Sequence, residues 1–200
     1  MSKVFEIAFK LGGELTSSFK SAFGGAEGMM KTLGVAAAAL GGTAALTAVA
    51  GQVMEMEDSL AKLSAQTGVY GKEMEALGDV AKNVFKTGHG ESFDDVTEAL
   101  MQVKNQMHNL DNGELERVTG NAMMLANTFD GEVNEVTRAA NNLMTNFGVD
   151  SEKAFDMMAK GAQEGLNFSN EMFDNIAEYA PLWSDYGFQA EEMFGILKSG

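Results

Sequence analysis

The chain has no cysteine, one proline and one tryptophan in 200 residues. The absence of Cys excludes a disulfide framework and thiolate metal sites. Its two histidines, His89 and His108, are too few and too far apart for a conventional zinc site or a catalytic triad. Cations are scarce as well: 14 Lys and Arg against 29 Asp and Glu give a formal net charge of -15. Gripping nucleic acid without regard to sequence requires Lys and Arg to displace phosphate counterions, so the charge argues for a basic partner or lumen instead. With Pro181 alone, long helices can run uninterrupted, and 23 Gly supply stops between them. An apolar content of 45% is that of a folded protein, and 15 Met suit core filling or adaptable helix contacts.

What is present falls into three regions. Residues 1–31 are close to neutral, with Lys3, Lys10, Lys20 and Lys31 against Glu6, Glu14 and Glu27. Within them Phe5, Ile7, Phe9 and Leu11 alternate with Glu6, Ala8 and Lys10, the period of a short β-strand. After Gly12-Gly13, the residues Leu15, Phe19, Ala22, Ala26, Met29 and Leu33 recur at alternating intervals of four and three. This predicts either one amphipathic helix or a short coiled-coil seam.

Residues 32–54 carry no charge and are mostly Ala and Gly. As a helix they would span about 34 Å, enough for a bilayer core of about 30 Å. Their Leu and Val supply only about -2 to -4 kcal/mol toward insertion, opposed by Gly, Thr and Gln52. Gly34, Ala38 and Gly42, and likewise Ala37, Gly41 and Ala45, repeat small residues every four positions. Such a face lets backbones approach closely in lipid or in a tight bundle, and makes self-association the expectation. Ala48-Val49-Ala50 before Gly51 has the form of a signal cleavage site, but the long polar stretch ahead of it, with three Glu, fits that reading poorly.

Residues 55–200 hold the acidic excess and read as helix after helix, with breaks at Gly68, Gly88, Gly113, Gly131, Gly148, Gly165 and Gly187. The spacing predicts helices of three to four turns in antiparallel hairpins. Ser92 with Asp95 has the pattern of a capping box, and Ser151, Ser169 and Gln189 precede further helical runs. Thr67-Gly68-Val69, Phe147-Gly148-Val149 and Tyr186-Gly187-Phe188 echo one another as helix stops: Gly takes a left-handed cap, and the apolar residue after it packs back. A shared cap and a duplicated helical hairpin both account for the echo. The fold class is therefore mainly α, with a short N-terminal strand and an apolar Gly/Ala-rich helix.

No chemistry emerges. With Gly113 or Gly131 at the sixth place of a calcium loop, the first place falls on His108 or Ala126 and the twelfth on Thr119 or Thr137, so both loops are read as helix caps. Gly88-His89-Gly90-Glu91-Ser92 is not a nucleophile elbow and reads as a turn before a capped helix. Trp183, beside Pro181 and Tyr186, reads as core or as an interface anchor. No cofactor, metal or enzymatic activity is expected.

Four stretches carry a family resemblance: Phe5 to Leu11 with Gly12-Gly13 and the helix through Phe19 and Phe23; Met56 to Gly68, ending Ala-Gln-Thr-Gly; Asn142 to Gly148; and Trp183 to Leu197. Taken in order, they resemble the N-terminal region of phage tail tape measure proteins. Lys86 to Asn112 matches that pattern least well. The resemblance implies a structural protein that oligomerises with itself in the tail lumen and sets tail-tube length during assembly in the host cytoplasm. It further implies tail tube protein, assembly chaperones and tail tip or baseplate proteins as partners, and a host membrane during DNA delivery. Members of the family are much longer than 200 residues, so a fragment is expected. The competing reading is a stand-alone pore-forming protein in which residues 32–54 insert.

Overall fold

A computed structural model describes residues 43–199, with side chains described from Glu55 onward. The expected strand, the seam from Leu15 to Leu33, and Gly34, Ala37, Ala38, Gly41 and Gly42 lie outside the described residues. Ala45 lies in the first helix, in the part described by backbone alone.

The described residues form helices α1 (Thr43–Thr67), α2 (Lys72–Lys86), α3 (Phe93–Gln106), α4 (Asn112–Phe129), α5 (Val133–Phe147), α6 (Ser151–Gln163), α7 (Met172–Asp185) and α8 (Ala190–Ser199). The chain is mainly helical. Local chemistry explains most boundaries. Ser92 and Asp95 form a reciprocal capping box at α3, and Asp111 and Glu114 form another at α4; each such cap contributes about 1 kcal/mol. Asp150 caps α6 by accepting from the Lys153 N–H, so the cap is the residue before Ser151. Ser169 caps nothing: Asn170 turns left-handed (φ 59°) and α7 starts at Met172. Gly113 is no break either, because the Asp111 box draws it into the first turn of α4.

Each helix packs on the second helix after it: α1 on α3, α2 on α4, α3 on α5, α4 on α6, α5 on α7 and α6 on α8. Odd helices thus form one row and even helices the other, and among the described residues no substantial contact joins helices three or more places apart. This is a serial stack of helix pairs, in which each layer touches only its neighbours. The period is regular: odd helices α3, α5 and α7 begin 40 and 39 residues apart, and even helices begin 40, 39 and 39 apart. Val96, Val136 and Ile176, at 40-residue intervals, are all buried in the odd row. Thr97 and Thr137, also 40 apart, are buried too, each returning its hydroxyl to a carbonyl of its own helix.

The left-handed stops follow the same period. Gly68, Gly148 and Gly187 have φ of 68°, 67° and 83°, and Asn109, with φ 70°, stands where the second layer needs its member. On the opposite edge Gly88, Asp130 and Asn170 are left-handed at intervals of 42 and 40 residues. Asn and Asp tolerate this conformation better than other side chains do, because their short polar groups can bond locally. Gly187 sits in a complete Schellman motif: its N–H donates to the Ser184 carbonyl, the Phe188 N–H donates to Trp183, and the Trp183 and Phe188 rings meet edge to face at 5.0 Å.

Layer spacing depends on small residues at particular points. A Cβ at Gly161 of α6 would stand 2.9 Å from the Phe194 ring of α8 and 3.2 Å from Leu166. In an exposed helix Gly→Ala stabilises by about 1 kcal/mol. Here the sign should reverse, with Gly161→Ala costing about 1 to 3 kcal/mol through overpacking. Urea unfolding measures this, and a stabilised Gly161→Ala would show that α6 and α8 are not in close contact.

Candidate functional site

Among the described residues the titratable and nucleophilic side chains do not converge. His89 precedes α3 and His108 follows it, so about 20 Å of helix separates them. The cleft beside His108 is lined by Thr67, Lys104, Asn105, Asn109 and apolar neighbours, with no carboxylate or second imidazole. Among the described residues no group of three His, Asp or Glu is placed to hold a metal ion. The calcium-like loops have other duties: Asp111 caps α4, and Asp130 is itself the left-handed residue that ends α4. No described helix is long and apolar enough to cross a membrane.

The arrangement that does recur is a set of polar brackets between layers, whose partners lie 31 to 38 residues apart. On one edge Asn127 donates to the His89 carbonyl (2.7 Å), and 40 residues on Asn167 donates to the Phe129 carbonyl (2.9 Å). In the odd row the Lys62 ammonium and the Ser59 hydroxyl of α1 both donate to Asp94 of α3 (3.0 and 2.9 Å). Arg138 of α5 pairs with Asp174 of α7 at 3.2 Å. In the even row Lys153 pairs with Glu191, and Glu164 with Lys198.

Pro181 explains the best-defined bracket. Without an N–H it cannot donate to the Ala177 carbonyl one turn back. Asn142 of α5 reaches across and donates its amide N–H to that carbonyl at 2.7 Å. Near the end of α5 the same logic operates in reverse, since the Ser184 hydroxyl of α7 donates to the Asn146 carbonyl at 2.7 Å. A backbone vacancy created by the only proline thus becomes an inter-layer hydrogen bond. Asn142→Ala should cost about 1 to 3 kcal/mol. In a Pro181→Ala background, where the helix can serve its own carbonyl, the loss should shrink by about 1 kcal/mol or more. A double-mutant cycle from denaturant unfolding gives the coupling, and additivity would refute it.

The brackets also set the acid response. The Lys62 and Ser59 hydrogen bonds hold the Asp94 carboxyl below its usual range, and Lys153 does the same for Glu191. Glu135 is shifted upward, first by burial and then by the Glu132 and Asp174 charges, with Arg138 opposing. A depressed carboxylate contributes stability above its unfolded pKa and loses it as pH falls through the folded value; Glu135 has the opposite sign. Asp94 is half exposed, so its pair with Lys62 contributes under about 1 kcal/mol. Asp94→Asn should therefore be slightly less stable than the parent at neutral pH, and the gap should close below the ordinary carboxylate range. Melting curves across acid pH test this; a gap that widened on acidification would reverse the assignment.

The described residues thus form a stack of helix pairs held by apolar layers and polar brackets. The family described as phage-related minor tail protein matches residues 87–200, and the chain belongs to that family. The match begins at the joint between α2 and α3 and covers the three later layers. No curated protein and no solved structure matches.

Proposed function

We propose that this chain is the N-terminal part of a tape measure, the tail protein whose length sets that of the tail tube. The observation that carries this reading is the minor-tail family match over residues 87–200, joined to the ordered tape-measure resemblance that runs from Phe5 to Leu197. The serial stack supports one particular role for the portion within such a protein. Four layers at about 10 Å each advance only about 40 Å, whereas the same 157 residues as one helix would reach about 235 Å. Folded, the array is a poor ruler, so it acts as a compact terminal body while other parts of the polypeptide span the tube.

Within that function the chain associates with itself, and the small-residue face of Gly34, Ala37, Ala38, Gly41, Gly42 and Ala45 is the surface proposed for it. Tail tube protein, assembly chaperones and tail tip or baseplate proteins are the partners. The place of action is the tail lumen, reached from the host cytoplasm during assembly. Entry of residues 32–54 into the host membrane belongs to the DNA-delivery step of the same proposal.

Tail length in assembled particles tests it. In-frame deletions of the parent gene outside residues 43–199 should shorten tails by about 1.5 Å per residue removed. Tails of unchanged length would overturn the ruler assignment while leaving the tail family intact.

A further inference from the structure

The two ends of the stack differ. At the first layer Glu55, Glu57 and Asp58 are exposed, and between Glu55 and Thr67 no large apolar side chain is. At the last layer Tyr179 (44% exposed) and Leu182 (50%) of α7 and Tyr186 (74%) at its C-cap stand at i, i+3 and i+7, and Ile196 and Leu197 of α8 are also exposed. The interior odd helices α3 and α5 expose no large apolar residue. The reason is topological: α5 has α3 on one side and α7 on the other, whereas among the described helices α7 has only α5 as a second neighbour, and α8 only α6. A serial helical array is soluble when its terminal layer presents a polar outer face. Along Glu55–Thr67 the first layer satisfies that condition, its exposed large apolar residues being Tyr70 in the following turn and Phe85 on α2, whereas the last layer exposes five such residues along α7, its C-cap and α8.

Charge identifies what fits there. Ion pairs already join the layers in both senses: Lys62 with Asp94 and Arg138 with Asp174 place the cation on the earlier layer, whereas Glu73 with Lys104 and Glu164 with Lys198 place the carboxylate on the earlier layer and the cation on the next. On α7 the exposed Glu178 and Asp185 flank the stripe, and the sole cation of α7 and α8, Lys198, is drawn back to Glu164 at the C-cap of α6. Two copies of the chain meeting through this face would oppose those carboxylates. We propose that the α7–α8 face is a stacking surface covered by a further helix pair in the polypeptide beyond Ser199, with Lys or Arg beside its apolar stripe. The inference rests on reading the chain as part of a longer tail protein, and it continues the α5–α7 and α6–α8 interfaces by one layer.

Because the sequence has no cysteine, Leu182→Cys introduces a single thiol at an exposed site. Its alkylation by iodoacetamide should be fast and independent of protein concentration in the 200-residue chain. In the protein made from the natural reading frame it should be slower by about tenfold or more, as expected for a covered position. Adding Glu178→Lys and Asp185→Lys to the natural protein should restore much of the rate. Equal rates in the two chains, or a reading frame ending at Gly200, would overturn the proposal. So would protection in the 200-residue chain that grows with concentration, which would assign the face to a second copy. Tails that shorten in proportion to deletions, together with equal alkylation rates, would leave the ruler standing and remove this inference alone.

Discussion

A helix pair of this size cannot enclose a core of its own, because each helix has apolar surface on more than one side. The remaining structure depends on how that surplus is buried. Every described helix with a second neighbour packs against it, so burial is achieved in series and each layer leaves a face for the next. Stability in such an array is close to a sum of layer terms and nearest-neighbour interfaces. That explains why small residues matter at single points, such as Gly161 beneath the Phe194 ring. It also explains why polar brackets appear at similar separations along the sequence.

The brackets add direction to a stack that apolar contact alone would hold loosely. Side-chain amides reach backbone carbonyls one layer away, as Asn127 does to His89 and Asn142 to Ala177. An unsatisfied buried carbonyl is costly, so these bonds penalise any slip of one layer along the next. Pro181 belongs to this logic: the donor it removes from α7 makes the Ala177 carbonyl available to α5. The exposed ion pairs contribute less individually, being screened by solvent, but they orient layers by charge and leave the last layer acidic.

For a tail protein this construction separates two tasks. A serial array can be lengthened by whole layers without redesign, because among the described residues no substantial contact joins helices three or more places apart. It also has low contact order, which favours folding as the chain emerges. An unbroken helix maximises length per residue, and a folded stack gives up length for defined surfaces. The array is therefore suited to a structural role in the tail that depends on defined surfaces more than on reach.

Much of the helical architecture was legible from residues alone. Helix character, the capping box at Ser92 and Asp95, and left-handed stops at Gly68, Gly148 and Gly187 follow from local chemistry, which acts within a few residues. The 40-residue period was only half visible, since its intermediate members are Asn109, Asp130 and Asn170 rather than Gly, and a search for glycine passes over them. Gly113 and Ser169 misled for a related reason: a neighbouring Asp111 box and the turn at Asn170 outcompeted them. What only the tertiary structure decided is the pairing of each helix with the second one after it. Apolar periodicity says which face is buried but not against what, and the partners of Asn142, Asp94 and Gly161 lie more than thirty residues away. Local physics determines the helices and where they stop; the order in which their surplus faces are covered is a property of the packed chain.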